Sequence, residues 1–172
     1  MALYEQETDI RSDMVRLLHR WWLGKSNGAI PDRADLDPAD LKPLLPNLFI
    51  ADVEHAPFRI RYRLVGTKAT EATGFDLTGR YLDDLMPSTA DQPWGDYYHR
   101  AYRTRLPVFG SIHAPTRNGG DFLYEFGLFP LRKGGTAVDQ FVAIEDYFDL
   151  ASTHVQLVEW RELEAAKRLS AL

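Results

Sequence analysis

The chain has 172 residues, a formal charge of -5 and no cysteine. The missing thiol excludes disulfides, thiolate nucleophiles, cysteine-ligated metals and cysteinyl flavin adducts, and the acidic balance weighs against a general nucleic-acid binder, which is ordinarily basic. A hydrophobic share of 45% with 12% aromatics fits a folded domain with its own core, and no apolar run approaches the roughly 20 residues of a membrane span.

The first stretch, MALYEQETDIRSDM, is acidic and lacks the apolar centre of a secretion signal. With cysteine absent, the expectation is a cytoplasmic protein with no membrane partner. From about residue 8 to 23 the pattern is helical. Ile10, Met14, Leu17, Leu18 and Trp21 recur on one side, Trp22 widens the stripe and Gly24 marks the stop. Such a stripe is expected to pack on the domain's own sheet.

Four prolines break up SNGAIPDRADLDPADLKPLLPNL. Asp37 and Pro38 predict the cap and first position of a short helix ending near Pro43. NLFIADVEH and FRIRYRLVG then read as strands joined by a turn at Ala56 and Pro57, an antiparallel hairpin. Along the second strand Phe58, Ile60, Tyr62 and Leu64 share one face, and Arg59, Arg61 and Arg63 the other. Three arginines in a row predict a protected edge strand in preference to an anion site.

The segment from Asp91 to Leu106 reads as a helix with Trp94, Tyr98, Ala101 and Tyr102 on its apolar side. PVFGSIHAP, DFLYEFGLFPL and VDQFVAIEDYF follow as strands, joined by TRNGGD and RKGGTA, whose paired glycines are hairpin signals. A last helical pattern covers about 152–172. Strands on both sides of a helical insert, with hairpins between neighbours, predict an α+β fold on a five-stranded antiparallel sheet.

This layout resembles the PAS domain. IPDRADLDPADLKPLLPNLFIADV, FRIRYRLVGT and GFDLTGRYLDDL are similar to a PAS-like family of unknown function common in alphaproteobacteria, over roughly Trp21 to Phe148. The resemblance implies the sheet order 2-1-5-4-3, with helices across one face over a small-molecule cavity. It implies one PAS-like domain over residues 1–172, with a core at about 46–148, an N-terminal helix at about 8–23 and a C-terminal helix at about 152–172. It also implies a sensory or regulatory role without catalysis, exercised through a small ligand, a homo-oligomer or a signalling partner.

Within that frame the glycines of RLVGTKATEATGFDLTGRYLDDL are structural. Gly66 and Thr67 end the second strand, with Thr67 capping the next helix; Gly74 stops that helix and Gly79 serves the following turn. A phosphate loop is not supported, because Arg80 stands where its lysine would be and Tyr81 where its Ser/Thr would be. The candidate ligand site comprises Tyr62, Leu64, Trp94, Tyr98, Tyr102, Ile112, Tyr124, Phe126 and Phe141, whose aromatic rings can both fill a core and orient a ligand. No metal cluster is legible. His99 is where a haem-binding PAS domain would carry its iron ligand, yet it lies about 100° round the helix from Tyr98, which suits a surface histidine; noncovalent flavin stays open. On the last helix Val158 and Leu169 lie on one side and Trp160 on another; apolar residues on more than one side make these three the candidates for association. The alternative is a small α+β enzyme using a buried carboxylate or histidine, for which His113, Glu125 and Glu145 are the polar strand residues to consider.

Overall fold

A computed structural model describes residues 2–74, 76–85, 94–115 and 121–148. The C-terminal helical pattern, with Val158, Trp160 and Leu169, lies outside the described residues.

The strands expected from alternation form one antiparallel sheet. Strands β2 (Leu48–His55) and β3 (Phe58–Val65) make the first hairpin; β4 (Val108–Pro115), β5 (Asp121–Leu131) and β6 (Gln140–Asp146) follow. β6 pairs with β2 and β5, and β4 pairs with β5. Counted along these five strands the order is 2-1-5-4-3. A two-residue strand, β1 (Ala2–Leu3), extends the sheet beyond β4. Two residues carry no periodicity, so nothing in the pattern announces it.

Helix α1 (Asp13–Lys25) starts later than the apolar stripe suggests, because Ser12 caps it: its hydroxyl accepts a hydrogen bond from the Val15 amide at 3.1 Å. The stripe that meets the sheet is therefore Val15, Leu18, His19 and Trp22, the i, i+3, i+4, i+7 spacing of one helix face. Ile10 is buried ahead of the helix, whereas Leu17, assigned to the apolar stripe, is exposed. Gly24 lies inside the helix, and Ser26 is the C-cap. The short helix expected after Asp37 is a turn, in which the Asp37 carboxylate accepts from the Ala39 amide at 2.8 Å. The chain then runs as a 3-10 helix over Lys42–Asn47, with Pro43 and Pro46 inside it; prolines cannot donate the bonds an α-helix would need there.

The two key glycines answer to different constraints. Gly66, not Thr67, is the N-cap of α2 (Thr67–Thr73), and a Cβ on it would lie 2.2 Å from the Pro46 carbonyl oxygen. Gly74 closes α2 with φ 82°, the left-handed conformation that penalises a side chain.

The arginine-bearing strand β3 is an edge, and that edge is covered. The Gly79 amide donates to the Tyr62 carbonyl at 2.7 Å, and the Tyr62 amide donates to Arg80 at 2.9 Å. Arg59 makes a two-pronged contact with Asp83, at 2.8 and 2.9 Å, beside the short helix α3 (Leu82–Leu85). Arg59 also stacks over the Tyr81 ring at 3.8 Å. The arginines thus hold the returning chain on the sheet edge.

The two faces of the sheet are covered by different helices. α1 packs on β5 and β6, with His19 5.9 Å from the Phe129 ring and the Trp22 indole donating to the Pro130 carbonyl at 2.8 Å. α4 (Trp94–Thr104) lies on the opposite face, with Trp94 4.8 Å from Phe126 and Tyr98 5.1 Å from Phe141, ring centre to ring centre. Phe126 and Phe129 are three apart on one strand and so face opposite ways.

Candidate functional site

The space between α4 and the sheet is lined by large aromatic side chains. Tyr62 of β3, Trp94 and Tyr98 of α4, Tyr124 and Phe126 of β5 and Phe141 of β6 are all buried there. Ile112 is buried directly opposite Tyr124 in the ladder and shares its face. These expected residues converge because strand alternation places them on one side and helical spacing turns Trp94 and Tyr98 toward them.

Two members of the expected set stand elsewhere. Leu64 is 49% exposed. A bulge is the reason: Ile50 pairs with Leu64 while Ala51 pairs with Tyr62, so Arg63 is an extra residue in the ladder. The insertion places Tyr62 and Leu64 on opposite faces, which simple alternation cannot foresee. Tyr102 sits at the rim, its ring 5.0 Å from Phe58 and its hydroxyl 3.1 Å from His55 Nδ1. His99 is exposed on the outer side of α4, edge-on to Phe58. From there it does not reach the interior, and the residues present do not fit a haem held by that histidine.

The residue that sequence reasoning underweighted is Glu145. β6 alternates, and Glu145 follows Phe141 and Ala143 on the α4 side, directly opposite Phe126. Its surroundings are tyrosines. The Tyr147 hydroxyl donates a hydrogen bond to its carboxylate, and its negative charge is felt by Tyr62, Tyr98 and Tyr124, whose hydroxyl pKa values burial also raises. Tyr98 and Tyr62 hydrogen-bond each other, as do Trp94 and Tyr124. Asn47 donates to the Glu145 carbonyl at 2.7 Å, tying the end of β6 to the 3-10 helix. Among the described residues, no lysine, arginine or histidine pairs with the Glu145 carboxylate.

Burial therefore dominates its chemistry. Removal from water pushes the Glu145 carboxyl up to about 7, against the opposing pull of the Tyr147 hydrogen bond. The residue is half-buried in surface terms. The inner face thus holds a carboxyl that titrates near neutrality, with the Tyr147 hydroxyl against it and buried aromatic side chains around it.

The other two polar strand residues lie apart from it. His113 is exposed on β4. Glu125 is buried on the α1 face, where it accepts from the Arg11 amide at 3.0 Å, the Ser12 amide at 2.7 Å and the Tyr4 hydroxyl at 2.8 Å. Its ladder partner Asp146 accepts from the Ser12 hydroxyl at 2.6 Å. These two carboxylates anchor the start of α1; with their bonds satisfied, they serve docking and leave no free edge for chemistry. Among the described residues, no group of three or more His, Cys, Asp or Glu side chains could hold a metal ion, and no helix is long and apolar enough to cross a membrane.

A family model described as PAS domain matches residues 11–144. No curated protein matches the sequence. Among solved structures, a light-oxygen-voltage domain studied with a flavin analogue shares 14% identity at a TM-score of 0.48, over 78% of this chain and 96% of that one. An RNA-binding light-oxygen-voltage receptor shares 22% identity at 0.48, over 84% of this chain and 40% of that one. The light-oxygen-voltage domain of a blue-light activated histidine kinase from Erythrobacter litoralis shares 21% identity at 0.44, over 58% of this chain and 93% of that one.

Proposed function

The chain belongs to the PAS domain family, and on that premise we propose that it is a sensory or regulatory module that binds a small ligand between α4 and the sheet. The observation that carries this reading is Glu145. An ionisable group in a ring of tyrosines stabilises no core, because burying a carboxyl costs free energy that an apolar residue would avoid. Groups held at such cost concentrate where a protein recognises or transforms something. Tyr62, Trp94, Tyr98, Ile112, Tyr124, Phe126 and Phe141 form the ligand's walls; Leu64 and His99 do not contribute.

The interior favours a small molecule. Trp94, Tyr98, Tyr124 and Phe126 are buried, with Trp94 packed on Tyr98 and Phe126, which supports a ligand smaller than haem or flavin. The ligand state reaches a partner, or a second copy of the chain, through the helices that flank the sheet. The association role of Val158, Trp160 and Leu169 and the single-domain organisation over 1–172 belong to the same proposal, as does a cytoplasmic location. Acid–base catalysis is the competing use for a carboxyl titrating near neutrality. The sensor reading is preferred because His113 and Glu125 do not join Glu145, which leaves tyrosine hydroxyls as its titratable companions among the described residues.

Native mass spectrometry of freshly purified protein, run beside a denatured sample, tests the proposal. The expected result is a small mass released on denaturation and retained less by a Trp94→Ala variant. A protein that retains nothing, and whose melting temperature no small molecule shifts in a broad metabolite screen, would overturn it.

A further inference from the structure

The chemistry of the inner face selects among ligand classes, and this selection rests on the ligand-binding reading above. We propose that the site takes a small organic cation, its ammonium group against the Glu145 carboxylate and its apolar part among Trp94, Tyr98, Tyr124 and Phe126.

Three observations carry the choice. First, the Glu145 carboxylate is enclosed with one hydroxyl donor, from Tyr147, and no cationic partner among the described residues. An enclosed carboxylate has capacity for more donors than one, and a cation is the partner that best offsets its desolvation. Second, the walls are electron-rich rings. Trp94 meets Phe126 at 4.8 Å and Tyr124 meets Tyr147 at 5.3 Å, centre to centre. Aromatic faces around a carboxylate are how proteins hold ammonium groups. Third, an anionic ligand would meet Glu145 as a like charge, and a neutral one would leave its charge unanswered.

The groups facing Glu145 are Tyr147 just beyond the end of β6, Tyr62 from β3, Tyr98 from α4 and Tyr124 from β5, with Asn47 from the 3-10 helix on its carbonyl. Burial holds all these hydroxyls above their ordinary range, so only Glu145 titrates near neutrality. Its carboxyl sits at about 7 without ligand, and a bound cation favours the ionised form. Binding therefore releases a proton from Glu145 to the solvent, and a cation of fixed charge binds more tightly as pH rises.

Isothermal titration calorimetry of the whole protein tests this with matched probes: choline against its uncharged carbon isostere 3,3-dimethylbutan-1-ol, and benzylamine against benzyl alcohol. At least one cation is expected to bind about tenfold or more tightly than its isostere. Choline affinity should rise about tenfold between pH 6 and pH 8 if it is the binder, with proton release measured in buffers of different ionisation enthalpy. Glu145→Gln should abolish both the preference and the proton release. Tyr147→Phe, which keeps the carboxylate, should retain the preference and control for disturbed packing. Isosteres that bind as well as their cations, or cation binding indifferent to Glu145→Gln, would overturn the cation class and leave ligand binding standing. If none of the probes binds up to millimolar concentration, the cation proposal falls; if native mass spectrometry also finds no retained molecule, the ligand-binding reading falls with it.

Discussion

At the scale of a single residue, Glu145 makes stability depend on pH. Its carboxyl is raised from an ordinary 4.5 to about 7 in the folded protein, so the folded state holds a proton that the unfolded state releases. The stability linked to this group is fully present below about pH 4.5 and is lost as pH rises to about 7, a loss of the order of 3 kcal/mol. Glu145→Gln should therefore raise the melting temperature at pH 8 and change it little at pH 4.5, as read by circular dichroism at both values. Equal shifts at the two values would mean that the carboxyl is not desolvated. The burial of Tyr62, Trp94, Tyr98, Ile112, Tyr124, Phe126 and Phe141 was legible at this scale from periodicity, whereas which strand face meets α4 was not. Leu64 was not, because one bulged residue, Arg63, reverses the parity after it. Glu145 was visible only as one of several polar strand residues, since its distinction from Glu125 depends on which helix covers which face.

At the scale of the element, the short polar links matter more than the helices' own propensities. Ser12 caps α1 through Val15 and reaches Asp146 through the same hydroxyl, while its amide reaches Glu125. Ser12→Ala should cost about 2 kcal/mol, the upper range for a lost cap, because Asp146 also loses a donor inside the protein. Urea unfolding would show it as a lower midpoint at unchanged slope. Gly66→Ala should cost about 3 kcal/mol, since the new Cβ can be accommodated only by moving backbone at Pro46. The sequence marks Gly66 as punctuation, but the carbonyl pressing on it comes from a segment 20 residues away and has no local signature. The same holds for α1: its apolar stripe was readable, but its start and rotation are set by two carboxylates on distant strands.

At the scale of the whole molecule, the sheet is a partition with two separately covered sides. Strand order followed from the hairpin signals and the resemblance, whereas β1 had too few residues to announce itself. On the α1 side Phe129, Val142 and Ile144 are fully buried. Removing residues 1–25 should uncover these side chains and drive self-association, seen as a larger mass in size-exclusion chromatography with light scattering. A truncated protein that elutes like the full chain would mean that α1 contributes little cover. The two sides nonetheless meet along β6, where Glu145 and Asp146 are adjacent. One residue faces the aromatic interior; the next is fastened to the first turn of α1. One planar peptide unit joins them, so the strand is like the beam of a balance whose two pans hang from neighbouring points. News of an occupied interior would need to travel the length of a single peptide bond to be posted on the opposite wall.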